Sequence, residues 1–249
     1  MKKILMFVAI LALCGCASAK SNTEVNNESI MEEVPQEEIV VDDESIEDIT
    51  EASQEEVSTE NNPSIVWLGD SLTQGSLGDE YDNLPGAPCV LLMNKHGLDV
   101  DGYGFYGYDT GTVLWCYKDE ERENQTVDPK KVYIFWLGSN DWVVAGEPNT
   151  DAESVITKLD DFINNGQLDK YIVMGTTARY ELRVEEDGQF MYEIINDKLK
   201  NHYKEHYMDV IDIIGDDGYG PDQIHLKAST YEKVSEMVYN KLIDMGYVK

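Results

Sequence analysis

Positive charge is what this chain has least of. Lys and Arg number 19 against 49 Asp and Glu in 249 residues, for a formal net charge of −30. Nucleic acids and anionic lipid head groups are held by clustered Lys and Arg, so no nucleic-acid partner is expected. Cysteine is scarce too: four residues are too few for a fold built on disulfides. Histidine also stops at four. His202 and His206 have the spacing of two zinc ligands on a helix, but Tyr203 stands where a zincin has Glu, and a solvated helix face is expected instead. No metal site is expected elsewhere. Asp216-Asp217-Gly218 lacks the alternating ligands and closing Glu of a calcium loop and reads as a turn. The string G-x-S-x-G is absent, which argues against an ordinary α/β-hydrolase elbow. Apolar residues still make up 42% of the chain, enough for a core.

The charge is unevenly distributed. Residues 1–20 carry Lys2, Lys3 and Lys20 and no acid. Their apolar run, Ile4 to Leu13, is too short to span a bilayer and reads as a signal peptide. Leu13-Cys14-Gly15-Cys16 resembles a bacterial lipobox with Cys16 as the lipidated residue; cleavage after Ala19 is the alternative. Either way an exported protein is expected, and with the lipobox it touches membrane only through the N-terminal lipid anchor. Residues 21–62 hold fifteen acids, no Lys or Arg and no aromatic residue. Such a segment cannot build a core and reads as a disordered tether, spanning roughly 35 Å.

Residues 63–249 change pattern. Short apolar runs at Ser64–Gly69, Val132–Leu137, Tyr171–Met174 and Val210–Ile214, with a weaker one at Leu98–Val100, predict strands. Between them, apolar residues at helical spacing predict helices over Asp151–Asn164, Met191–Tyr207 and Ala228–Met245. The alternation predicts one α/β domain on a parallel sheet, with its site beyond the carboxyl ends of the strands. Cys89 and Cys116 fall in this domain, either as a pair or as two buried thiols.

Three motifs follow those runs. Gly69-Asp70-Ser71-Leu72 comes after the first, Gly138-Ser139-Asn140-Asp141 after the third, and Asp222-Gln223-Ile224-His225 after the last. A serine hydroxyl becomes a good nucleophile only with a base in reach. His225 can be that base through one ring nitrogen while Asp222 holds the other. Ser71's own N–H, the Asn140 amide and a glycine N–H from the second loop could receive an oxyanion.

These blocks resemble the SGNH hydrolases, also called the GDSL esterases and lipases, in family order and over essentially all of residues 63–249. The resemblance implies a flavodoxin-like three-layer α/β/α sandwich with a five-stranded parallel sheet, and no metal or organic cofactor. It makes Ser71 the nucleophile, His225 and Asp222 its partners, and Ser71, Gly107 and Asn140 the oxyanion hole. Gly104 is the alternative to Gly107. The second block reads Gly102-Tyr103-Gly104, without the usual Asn before its first glycine, and Leu226 stands where Pro is frequent after the His.

Tyr103, Phe105, Tyr106 and Tyr108 crowd the second loop, Trp142 follows Asn140, and Tyr219 lies just before Asp222. They are expected either to line the mouth of the site, with Tyr106, Tyr108 and Trp142 touching substrate, or to anchor the loops. Aromatic rings with polar tips suit a sugar better than a long acyl tail. The expectation is an exported, monomeric serine esterase for small acyl groups on a glycan or cell-surface polysaccharide. A lipase, lysophospholipase or thioesterase, or an inactive carbohydrate-binding lipoprotein, are the rivals.

Overall fold

In the computed structural model, residues 62–78, 84–144, 147–148 and 152–249 are described. The expected signal peptide, Cys16 and the acidic tether up to residue 61 lie outside the described residues.

Five strands form one parallel sheet: β1 (Ile65–Gly69), β2 (Val100–Gly104), β3 (Val132–Trp136), β4 (Tyr171–Met174) and β5 (Tyr207–Met208). Their spatial order is β2-β1-β3-β4-β5. The order reverses at β1, so a crevice opens beyond the carboxyl ends of β1 and β3. The helices are α1 (Ser71–Gln74), α2 (Pro88–His96), α3 (Thr110–Lys118), α4 (Glu153–Gly166), α5 (Met191–Tyr203), α6 (Ile211–Ile214) and α7 (Ala228–Asp244).

β1 and β3 read as continuous apolar runs because both faces of the sheet are covered. Ile65, Trp67, Val132, Ile134, Ile172 and Met174 face one core, with Leu92 of α2 and Tyr231, Val234, Val238 and Leu242 of α7. Val66, Leu68, Tyr133, Phe135 and Val173 face the other, with residues of α3, α4 and α5. The period of two along each strand thus builds two cores from one sheet. Phe162 of α4 anchors the second, edge-on to Phe135 at 5.7 Å between ring centroids. Together these layers form the expected three-layer α/β/α sandwich.

Two strands lie elsewhere than expected. Val210–Ile214 is no strand: Asp209 accepts a hydrogen bond from the Ile211 N–H at 2.9 Å and starts the turn of α6. Val210 and Ile214, four apart, are buried together as helix spacing requires, and β5 is the short pair before them. β2 starts where the predicted Leu98–Val100 run ends. It is an edge strand with Asp101 and Gly102 exposed, so it carries no apolar run to read. The three predicted helices form within a few residues of their expected ends.

Cys89 and Cys116 are separate buried thiols. Their helices, α2 and α3, cover opposite faces of the sheet. His202 and His206 also part company. The first pairs with Asp160 at 2.9 Å, and the second meets the Tyr171 carbonyl at 3.0 Å.

Candidate active site

Ser71 opens α1 directly after β1. Gly69 makes the sharp turn possible, since a Cβ there would run into Thr73 and the Trp136 carbonyl. Asp70 caps the turn by accepting from the Leu72 N–H at 3.0 Å. Asp70 is only 1% exposed. Burial pushes its carboxyl up to about 7, against the opposing pull of the Leu72 N–H and the Arg179 guanidinium.

His225 comes from the loop between β5 and α7. That loop is closed by the bridge from Tyr219 to Leu226 and by the Gly220 N–H on the His225 carbonyl at 2.7 Å. Within it, Asp222 Oδ1 accepts from the backbone N–H of Ile224 at 3.1 Å and of His225 at 3.0 Å. Its other oxygen meets His225 Nδ1 at 2.6 Å. His225 Nε2 lies 2.9 Å from Ser71 Oγ. Burial alone would raise the Asp222 carboxyl, but the His225 ring and the two backbone N–H groups outweigh it and hold it below its usual range. An ionised Asp222 accepts a hydrogen bond from Nδ1–H, which keeps the proton on Nδ1 and leaves the Nε2 lone pair facing the serine hydroxyl.

The other expected residues lie on the adjoining loops. Gly107 sits in the turn after β2 with φ +77°, a backbone that favours glycine, and nothing lies within 4 Å of where a Cβ would stand. Asn140, after β3, donates from its amide to the Tyr108 carbonyl at 2.9 Å. That leaves the second amide proton for another acceptor. Gly104 is packed instead: a Cβ there would come within 2.5 Å of the Gln74 backbone nitrogen in α1.

The aromatic residues divide. Tyr106 is 41% exposed and lies parallel to the His225 ring at 5.5 Å between centroids. Tyr108 is half-buried against Phe105, and Tyr103 packs edge-on to Tyr117. Trp142 does not touch the mouth of the site. It is 0% exposed, and its ring fills the space beneath Gly138, where a Cβ would come within 2.6 Å of it. Tyr219 is buried as well. Tyr180, which no sequence motif singles out, is 54% exposed, its N–H on the Gln223 carbonyl of the Asp222–His225 loop at 3.2 Å.

Two further groups brace these loops. Asp141 accepts from the Thr110 N–H at 2.7 Å and from the Thr110 hydroxyl at 2.9 Å, and it pairs with Lys158 at 3.1 Å. It thereby ties the loop of Asn140 to the start of α3. Buried Arg179 donates to the Ser139 carbonyl at 3.0 Å. An arginine two residues beyond a Thr-Thr pair at a strand end was the only signal for it in the sequence. Among the described residues, no group of three or more His, Cys, Asp or Glu is gathered to hold a metal ion.

No protein-family model matches the sequence, and no curated protein does. Solved structures do match in fold. A lipase/acylhydrolase from Enterococcus faecalis superposes with TM-score 0.57 at 19% identity, covering 75% of this chain and 97% of that one. A member of the lipolytic G-D-S-L family from Veillonella parvula gives 0.53 at 19% identity, over 73% and 96%. A carbohydrate esterase family 2 enzyme with a carbohydrate-binding domain, from Corynascus thermopiles (Myceliophthora fergusii), gives 0.58 at 17% identity, over 74% and 67%. On this likeness, and with its five-stranded parallel sheet between helices, the chain has the fold of the GDSL, or SGNH, lipolytic proteins and esterases.

Proposed function

We propose that the domain is a serine esterase acting through an acyl-enzyme. The observation that carries this is the run of contacts from Asp222 to His225 to Ser71, at 2.6 and 2.9 Å, beyond the carboxyl ends of the sheet. Ser71 Oγ attacks the ester carbonyl carbon as its proton passes to His225 Nε2. The carbonyl oxygen becomes an oxyanion, received by the N–H groups of Ser71 and Gly107 and by the Asn140 amide. The bond to the alcohol oxygen then breaks, and His225 returns the proton to that oxygen. Water repeats the sequence on the acyl-enzyme and frees Ser71. Asp222 holds the ring in one tautomer and balances the imidazolium throughout.

For the substrate, we propose a short acyl group, such as acetyl, on a sugar hydroxyl. Tyr106 over the His225 ring is a partly exposed aromatic ring beside the triad, as sugar stacking requires. The proposed place of action is outside the cell, on a lipid anchor at Cys16.

Turnover of a chromogenic acetyl ester that vanishes in Ser71→Ala supports the esterase. No turnover, with sugar binding equal in both proteins, would leave a binding module instead. A strong preference for long-chain esters over acetylated glycans would refute the sugar substrate. Mass spectrometry of the mature N-terminus tests the anchor, and an unlipidated start after Ala19 would refute it.

A further inference from the structure

Arg179 lies on the segment that leaves β4 and leads to α5, and it is buried. Its Nε and Nη2 each donate to a different carboxylate oxygen of Glu181 at 2.8 Å. This two-point pair fixes the plane of the guanidinium. The remaining nitrogen, Nη1, donates to the Ser139 carbonyl at 3.0 Å, across 40 residues of sequence. Ser139 immediately precedes Asn140. The next residue, Tyr180, donates its backbone N–H to the Gln223 carbonyl at 3.2 Å. Gln223 sits between Asp222 and His225 with φ +58°, a backbone conformation that non-glycine residues rarely adopt without support. One dipeptide therefore grips both halves of the site. Its side chain holds the loop of the oxyanion amide, and its backbone holds the loop of the base.

A buried ion pair is poor evidence of a device for stability, since apolar residues of similar volume often serve as well or better. Glu181 balances the Arg179 charge at contact distance, although the guanidinium still acts on Asp70. What the pair does offer is a rigid N–H aimed at one carbonyl.

We propose that Arg179, held by Glu181, is a positioning residue that sets the Gly138–Asn140 loop against the catalytic loop, so that the Asn140 amide meets the oxyanion formed at Ser71. This rests on the esterase reading.

Steady-state kinetics on an acetyl ester test it, with wild type, Arg179→Ala, Arg179→Lys, Asn140→Ala and the Arg179→Ala/Asn140→Ala double variant. Loss of a loop support of this kind is expected to lower kcat about 100-fold in Arg179→Ala, with KM within about twofold of wild type. Lys keeps the charge and loses the fork, so Arg179→Lys falls between. Because Arg179 acts through Asn140, its removal from the Asn140→Ala background should cost less than about threefold. Multiplying losses, a raised KM at constant kcat, or unchanged kcat in a folded Arg179→Ala would each overturn the proposal. If thermal melting shows Arg179→Ala unfolded, Arg179→Lys takes its place in the cycle under the same criteria. Wild-type protein that neither turns over the ester nor reacts at Ser71 with a fluorophosphonate would instead refute the esterase reading. An active wild type with indifferent Arg179 variants would refute only the positioning role.

Discussion

Replacing Asp70 by Asn is expected to stabilise the domain, and to do so only where the wild-type carboxylate is forced to ionise. Asp70 is buried at the end of β1, with one oxygen on the Leu72 N–H. Burial lifts its carboxyl from 3.8 to about 7. The folded state therefore binds this proton more tightly than the unfolded chain does. Below about pH 4 both states are protonated and the group contributes no difference. Between that point and about pH 7 the unfolded chain ionises while the folded one does not, and stability falls by about 1.4 kcal/mol per pH unit. Above about pH 7 both are ionised, and a shift of roughly 3 units corresponds to a penalty of about 4 kcal/mol.

Asparagine keeps the acceptor for the Leu72 N–H and has the shape of the protonated acid, but it does not titrate. The Asp70→Asn variant should thus match wild type near pH 4 and exceed it by up to about 4 kcal/mol near pH 8. With 49 acidic residues in the chain, the pH dependence of either protein alone carries little information. The difference between them at each pH does carry it. Urea titrations followed by tryptophan fluorescence suit this, since Trp67, Trp136 and Trp142 are all buried. An equal gain at about pH 4.5 and about pH 8 would refute the argument, as would a loss of stability at the higher pH.

The remaining expectations concern the site and its neighbours. Asp222→Asn should lower kcat by about 10⁴ through loss of the correct His225 tautomer, with KM little changed; a fall below tenfold would contradict its role. The same carboxyl titrates below its usual range when folded. Its stabilisation is therefore present above about pH 4 and lost as pH falls through the lower folded value, a loss that Asp222→Asn should remove from the acid-denaturation curve. Tyr106→Ala should raise KM for sugar acetates about fivefold, from about 1 kcal/mol of lost ring contact, and leave ethyl acetate hydrolysis nearly unchanged. Trp142→Ala should cost about 3–5 kcal/mol in denaturant titrations, as removal of a buried ring does, and a raised KM without loss of stability would restore Trp142 to the mouth of the site.

β1 and β3 were legible in the sequence because they lie inside the sheet and must be apolar on both faces. The edge strands were not. β2 has no buried residue and exposes Asp101 and Gly102 in succession, and β5 is two residues long. The apolar run beside β5 belongs to a helical turn that packs against α7, and a run of that length does not separate the two outcomes. Trp142 shows a similar limit. It is two residues from Asn140 in the chain, yet the turn at Gly138 sends its side chain under the loop rather than out of it. Nearness in sequence placed the residue at the right loop and said nothing of its direction.

The site itself contains both kinds of information. The Asp222–His225 pair is three residues apart, and the loop's own N–H groups orient the carboxylate, so its spacing alone suggests the pairing. Ser71 meets His225 across 154 residues, and that contact exists only because β1 ends beside the loop that follows β5. Asp141 on Thr110 and Arg179 on Ser139 are of this second kind. Each is an ordinary polar residue in sequence and becomes a brace only when the sheet aligns the loops. Groups that perform the chemistry recur in local motifs, while groups that hold them at working distance are chosen by tertiary contact. Weakened packing between β1 and β3 should therefore lower activity before it alters the Asp222–His225 pair, because only the long-range contact depends on that register.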